Sequence, residues 1–138
     1  MATRGDLARS VVACLSDKVR DKTGHLATLL GNVKPSRILC TPSTTVALNL
    51  AFKGLLQTGD HVVTTSMEHN SVMRPLHALQ NLGISHSQIP CSPSGELDPA
   101  DILPLIQPQT RLIAMIHGSN VTGNVMPVSE VGKMARER

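Results

Sequence analysis

The sequence predicts an α/β fold with three layers, in which a mainly parallel sheet lies between two layers of helices. Short apolar runs alternate with helix-like stretches along most of the 138 residues. The clearest run, 111–116, is apolar at almost every position, as in parallel strands that are covered on both faces. Hydrophobic residues make up 41% of the chain, enough for one core. We therefore expect a single domain of parallel strands joined by crossover helices.

The first predicted element is a long amphipathic helix from about residue 6 to residue 30. Its apolar residues recur at every fourth position, at Leu7, Val11, Leu15 and Val19. Gly31 is expected to end it in the C′ position. A short strand over 37–41 and a helix over 44–55 follow.

The remaining elements continue the alternation of strands and helices. We predict strands over 61–65, 84–89 and 111–116, and helices over 70–82, 99–106 and from 128 to the C-terminus. Polar residues alternate in the strand 84–89, which favours an edge position, whereas 111–116 is expected to be central and almost fully buried. Gly83 and Pro127 mark helix boundaries, Pro127 in the favoured N1 position.

Composition argues against several functional classes. The net charge is only +3, the basic residues are scattered, and aromatic residues make up 1%, so we do not expect nucleic-acid binding. Three cysteines, Cys14, Cys40 and Cys91, form no CxxC pair, so neither a metal site nor a disulfide framework is expected. A reducing, cytoplasmic location fits them best. No apolar run is long enough to span a bilayer, so no membrane partner is expected.

Polar side chains follow three of the predicted strands. Thr44 and Thr45 begin a helix, where free N–H groups could hold a phosphate, although a plain N-cap is the common role of such residues. His69 could stack on a planar ring or move protons, or it could simply cap a helix or lie on the surface. Asn120 could bind a ligand oxygen or satisfy its own turn. These groups are expected at one edge of the sheet, where α/β folds bind ligands.

Other ionisable residues are interpreted as structural or as surface residues. Glu68 is expected to be structural and to satisfy loop amides. Four further histidines lack convergent partners in the sequence and are expected on the surface: His25, His61, His77 and His86. A phosphate donor set, a stacking ring and a partner for a ring oxygen together describe a pocket for pyridoxal phosphate (PLP).

Several segments resemble the class V aminotransferase family and, within it, the cysteine desulfurase-like group. They are the segments 44–51, 59–63, 67–71, 95–98 and 117–123. The resemblance implies the N-terminal part of the large domain of a PLP-dependent transferase of fold type I. It implies that Thr45, with Thr44, holds the cofactor phosphate, that His69 stacks on the pyridine ring and assists proton transfer, and that Asn120 meets the ring hydroxyl. An amino-acid substrate and a homo-oligomer are also implied.

The same resemblance places three functional groups of the family beyond this chain. They are the aspartate that pairs with the pyridine nitrogen, the Schiff-base lysine and the desulfurase cysteine. We therefore expect a fragment of a PLP-dependent enzyme that is catalytically inactive by itself. The alternative is a degenerate, non-enzymatic α/β module that binds a phosphorylated ligand or a protein partner.

Overall fold

The protein is described here by a computed structural model over residues 17–137. In the first part of the chain, helix α1 spans Asp17–Leu29 and a 3₁₀ helix spans Pro35–Arg37. The predicted long helix is thus present over 17–29, and its predicted residues 6–16 lie outside the described residues. Gly31 has a φ of 84°, the left-handed conformation expected of a residue that follows a helix.

The predicted strand over 37–41 is wrong. The N–H of Arg37 donates to the carbonyl of Lys34 at 2.8 Å, and the N–H of Ile38 donates to that of Pro35 at 3.0 Å. The backbone is therefore satisfied locally, and no other described segment pairs with 38–41. A segment forms a β-strand only when its backbone can hydrogen-bond to a neighbouring strand. A short apolar run does not show whether such a neighbour exists.

The second part of the chain, from Thr44 onwards, contains a three-stranded parallel sheet. Its strands are β1 (His61–Thr65), β2 (Ser85–Ile89) and β3 (Thr110–Ile113), in the order β2–β1–β3. All five residues of β1 are buried, because this strand has a neighbour on each side. The edge position predicted for β2 is confirmed within the described residues.

Helices cover both faces of the sheet. Helices α2 (Thr44–Leu55) and α3 (Asn70–Gln80) cover one face. The 3₁₀ helix Pro99–Leu105 and helix α4 (Val128–Arg136) cover the other. Successive side chains of β1 alternate between these layers. Val62 packs in a cluster with Phe52, Val72, Leu76 and Leu79, and Val63 packs with Ile89, Ile102 and Val131. The predicted three-layer α/β fold is confirmed.

The central position predicted for the strand 111–116 is wrong. β3 pairs only with β1 among the described residues, and it is half-buried apart from the exposed Arg111. Its apolar pattern has a physical cause all the same. Leu112 and Ala114 pack towards α2 and α3, and Ile113 and Met115 pack towards α4. The apolar run therefore shows that both faces of β3 are covered by helices, but it does not show how many strands pair with β3.

Smaller differences concern the ends and types of helices. α3 ends at Gln80, and Gly83 follows at a φ of 76°, where an added Cβ would lie 2.9 Å from Cγ2 of Thr58. The predicted helix 99–106 is a 3₁₀ helix with Pro104 inside it. Pro127 occupies the N-cap position of α4 and not N1. None of the described helices is both long and apolar enough to cross a membrane.

Candidate ligand crevice at the strand ends

The chain leaves the adjacent strands β1 and β3 in opposite directions. After β1 it enters α3, which packs on one face of the sheet with Val62. After β3 it reaches α4, which packs on the other face with Val63. Such a divergence opens a crevice beyond the carboxyl ends of the two strands, the usual ligand site of an open α/β sheet.

A cavity of about 690 Å³ lies at this crevice. Its polar lining consists of Thr44, Thr45, Glu68, His69, Ser71 and Asn120, and its apolar lining includes Phe52, Leu112, Ala114 and Ile116. The four residues singled out in the sequence therefore line one cavity, with Glu68 and Ser71 beside them. Their individual roles remain predictions.

Thr44 and Thr45 are the first two residues of α2, and both are exposed. The first N–H groups of a helix have no acceptor within the helix and carry a partial positive charge. The first turn of α2 contains no acidic residue that would compete for them. This end of the cavity is therefore suited to an anion such as a phosphate.

His69 is the N-cap residue of α3. Its Nδ1 accepts a hydrogen bond from the N–H of Ser71 at 3.0 Å and lies 2.8 Å from the Ser71 hydroxyl oxygen. Since a backbone N–H can only donate, Nδ1 must carry the lone pair, and the proton of the neutral ring sits on Nε2. The capping interpretation is confirmed. The cap also holds the Nδ1 side of this exposed imidazole in place, whereas Nε2 takes no part in the capping hydrogen bonds.

Asn120 lies exposed in the turn after β3. The turn is satisfied by its neighbour, because the hydroxyl oxygen of Ser119 accepts hydrogen bonds from the N–H groups of Val121 at 3.3 Å and Thr122 at 3.2 Å. Within the described part of the chain, the carboxamide of Asn120 makes no hydrogen bond. It is thus available to a ligand, and the turn-forming role belongs to Ser119.

A second loop supports the Asn120 turn. The Asn124 side chain donates to the carbonyl of Ser94, and the buried Gly95 has a φ of 83°. A Cβ at Gly95 would lie 2.8 Å from Nδ2 of Asn124. Only glycine allows this approach without strain, which accounts for its place in the turn.

Glu68 joins the two strand ends. Its Oε1 accepts hydrogen bonds from the Thr65 hydroxyl and from the N–H of Ile116, each at 2.8 Å. Burial raises the pKa of this carboxyl group, and the bonds from Ile116 and Thr65 oppose that rise. The prediction that Glu68 satisfies a loop amide is confirmed. That the amide belongs to the segment after β3 was not predictable, because 48 positions separate the two residues.

Two of the four histidines expected on the surface are not there. His25 and His77 are exposed as predicted, but His61 is buried and His86 is half-buried. The ring of His61 is held by hydroxyl groups, with Nδ1 2.9 Å from Thr110 and Nε2 3.0 Å from Ser87. No pattern in the segment itself marks His61 as buried, because two neighbouring strands from elsewhere in the chain cover it.

His86 lies under helix α3. Its ring centroid is 5.3 Å from that of His77, and its Nδ1 is buried with no hydrogen-bond partner among the described residues. Burial lowers the pKa of both His61 and His86, and the charges of His77 and His61 lower that of His86 further. Neither ring lines the cavity. Within the described residues, no cluster of three or more His, Cys, Asp or Glu could hold a metal ion.

The architecture and the crevice define a class: an α/β domain with a ligand site at the switch point of a parallel sheet. The model of the family described as aminotransferase class-V matches residues 9–138, and the chain belongs to this family. Its fold is part of the fold type I domain of PLP-dependent transferases.

Cysteine desulfurases are among its similar proteins. Cysteine desulfurase IscS of Anaeromyxobacter sp. (strain K) is 35% identical over 117 residues, which cover 82% of this chain and 29% of the relative. The apo structure of a cysteine desulfurase from Thermococcus onnurineus NA1 shares 31% identity with a TM-score of 0.77, covering 87% of this chain and 30% of that one. A mutant of C-DES, solved with glycine covalently linked to its PLP cofactor, shares the fold with a TM-score of 0.71 at 24% identity, covering 90% of this chain and 35% of that one. The chain thus spans about a third of the length of these relatives.

Proposed function

We propose that this chain supplies the phosphate, ring-face and ring-hydroxyl contacts of a PLP-dependent class V enzyme that acts on an amino acid. The observation that carries the proposal is that Thr44, Thr45, His69 and Asn120 line one cavity at the strand ends. The similarity to cysteine desulfurases favours desulfuration of cysteine, with a related elimination or a transamination as the other reactions of this class.

The residues present fit the cofactor. The cavity volume lies within the range of small-molecule sites. The N-terminus of α2 suits the phosphate, and the apolar lining suits a planar ring. When bound, PLP would supply an electron sink for reactions at the amino acid. Thr44 and Thr45 would anchor it, the capped His69 would cover one face of the ring with its Nε2 proton available, and the Asn120 carboxamide would meet the hydroxyl.

The described lining of the cavity contains neither a lysine nor an aspartate. A PLP enzyme needs a lysine that holds the cofactor and an acid that keeps the ring nitrogen protonated. We therefore propose that the chain by itself does not turn over an amino acid. In this proposal it works as part of a larger, homo-oligomeric and cytoplasmic enzyme.

The test is titration of the 138-residue chain with PLP, using Thr45→Ala and the control Ser129→Ala. Ser129 is the second residue of α4, as Thr45 is of α2, but it does not line the cavity. Hydrogen bonds to charged groups contribute about 1.5–3 kcal/mol. We expect Thr45→Ala to weaken binding about tenfold to a hundredfold and Ser129→Ala to leave it unchanged.

Borohydride treatment and peptide mapping then test the proposal that the chain by itself does not turn over an amino acid. We expect no stoichiometric lysine adduct and no release of sulfide from cysteine. A single lysine adduct within this chain, accompanied by turnover, would show that the chain is active. Equal PLP affinities of the wild-type chain and Thr45→Ala would contradict a phosphate site at the start of α2.

The rival function is a non-enzymatic module for a phosphorylated ligand, favoured by the same lack of lysine and aspartate in the described lining. Pyridoxal without its phosphate and inorganic phosphate distinguish the two functions. If inorganic phosphate displaces PLP completely and binds as tightly as PLP does, the ring contributes nothing to binding and the non-enzymatic module is supported. If PLP binds at least tenfold more tightly than phosphate, His69 and Asn120 contribute as the enzyme proposal requires.

A further inference from the structure

The hydrogen-bond ladder between β1 and β3 stops one step before the crevice. The N–H of Ala114 donates to the carbonyl of Val63 at 2.8 Å. In a parallel ladder, the next bond would run from the N–H of Ile116 to the carbonyl of Thr65. The N–H of Ile116 donates instead to Oε1 of Glu68. A side chain thus takes the place of a main-chain acceptor where the two strands separate.

The same carboxylate oxygen is tied to its own loop. The Thr65 hydroxyl donates to Oε1 of Glu68 and accepts a longer bond, 3.3 Å, from the N–H of Met67. Thr65 is fully buried, and its hydroxyl makes both of these hydrogen bonds. The Oε1 atom of Glu68 therefore ties the loop of residues 65–68 both to Thr65 and to the segment that follows β3.

Two predicted cofactor contacts flank this link. His69 follows Glu68 directly, and Asn120 lies four residues beyond Ile116; all four residues line the same cavity. A change in the separation of the two strand ends would move the imidazole relative to the carboxamide. A displacement of about 1 Å in a binding constellation can cost about a hundredfold in rate.

We infer that Glu68 is a positioning residue, whose Oε1 spans the crevice and holds the His69 loop and the Asn120 segment at the separation that a single PLP requires. This inference rests on the proposed function and adds that Glu68 sets the separation between His69 and Asn120. It requires a hydrogen-bond acceptor oxygen at the position of Oε1. A glutamine, which has the same shape and an amide oxygen, should therefore replace Glu68, whereas alanine should not.

The experiment compares the wild-type chain with Glu68→Gln, Glu68→Ala and the exposed control Glu137→Ala. The readouts are amide hydrogen exchange at Ile116, PLP affinity, and the induced circular dichroism of PLP at saturation. We expect Glu68→Ala to speed exchange at Ile116, to weaken PLP binding about tenfold or more and to change the dichroism of the bound cofactor. Glu68→Gln and Glu137→Ala should stay close to wild type in all three.

The outcomes separate the inference from the proposed function. A purely structural Glu68 would lower stability but leave the dichroism of bound PLP unchanged, which would overturn the inference. If Glu68→Gln fails as Glu68→Ala does, the charge and not the acceptor position matters, and the inference is again overturned. If the wild type binds no PLP, the proposed function falls and the purpose assigned to Glu68 falls with it. If Glu68→Ala binds PLP normally, only the inference falls.

Discussion

His69 combines a helix cap and a predicted cofactor contact in one side chain, and two substitutions separate these roles. Asparagine is among the best N-cap residues, so His69→Asn should keep the start of α3 but lose the aromatic ring. We expect His69→Asn to retain the wild-type free energy of unfolding and to bind PLP more weakly. His69→Ala should lose about 0.5–2 kcal/mol of stability as well.

Urea unfolding and PLP titration measure the two effects of these substitutions. A His69→Asn variant that binds PLP as well as the wild type would show that His69 is only a cap.

Burial of His61 and His86 makes stability depend on pH. The pKa of each ring is lowered from 6.5, mainly by burial, so the unfolded chain binds more protons than the folded chain below that pH. The stability is therefore fully present above pH 6.5 and is lost as the pH falls below it. We expect the free energy of unfolding to decrease as the pH falls below about 6.5, and to decrease less in His86→Gln.

The exposed His25 provides the matched control for this effect. Urea unfolding of His25→Gln at each pH should follow the wild type. A slope that His86→Gln leaves unchanged would mean that His86 makes no contribution.

At the scale of elements, α3 is held by the leucine face that it turns towards the sheet. Leu76 is 1% exposed within the cluster around Val62, whereas Leu82, just after the helix, is 61% exposed. We expect Leu76→Ala to lower the free energy of unfolding by about 2–5 kcal/mol, because it removes buried methyl groups and leaves a cavity. Leu82→Ala should change it by less than about 0.5 kcal/mol.

Chemical denaturation of the two alanine variants checks this difference. Similar losses in both would contradict the packing of α3 described here.

The strand β3 shows what an apolar run can and cannot predict about an element. Residues 111–113 were assigned to a strand correctly, because consecutive apolar residues occur where both faces are covered, but β3 ends at Ile113 and not at Ile116 as predicted. Its place in the sheet depends on which other segments pair with it, and no property of its own residues encodes that. The wrong prediction of a strand over 37–41 has the same cause, since nothing in those residues shows whether another segment pairs with them.

At the scale of the whole molecule, the free edge of β3 predicts self-association. In the described residues β3 pairs on one side only, and half-buried apolar side chains border that edge. Open edges and exposed apolar surface favour pairing between chains. We expect light scattering to show dimers or larger species whose fraction rises with concentration.

A charge on this edge should reduce association, since lysine on an edge strand discourages pairing. Ile113→Lys tests this, and because Ile113 also packs towards α4, urea unfolding must first show that the variant is folded. Val125→Lys is the control, because Val125 is exposed and lies outside β3. A wild-type chain that stays monomeric at high concentration would contradict the prediction. Equal effects of the two lysines would place the contact elsewhere.

The sequence by itself determined the alternation of elements, the aliphatic core and the polar residues at the strand ends. These properties depend on local periodicity and on the rule that parallel strands end at one edge, so His69 and Asn120 could be grouped in advance. The strand that was predicted before Thr44 and Thr45 does not form, and these two residues line the same cavity because α2 begins there. The single-domain organisation remains a prediction.

Only the tertiary structure decided which residues meet across the fold. It buried His61 between hydroxyl groups of two other strands, left β3 with one neighbour among the described residues, and placed the Glu68 carboxylate against an amide 48 positions away. Each of these contacts joins residues far apart in the chain. Their adjacency follows from the order of strands in the sheet, which the periodicity of a single segment cannot contain.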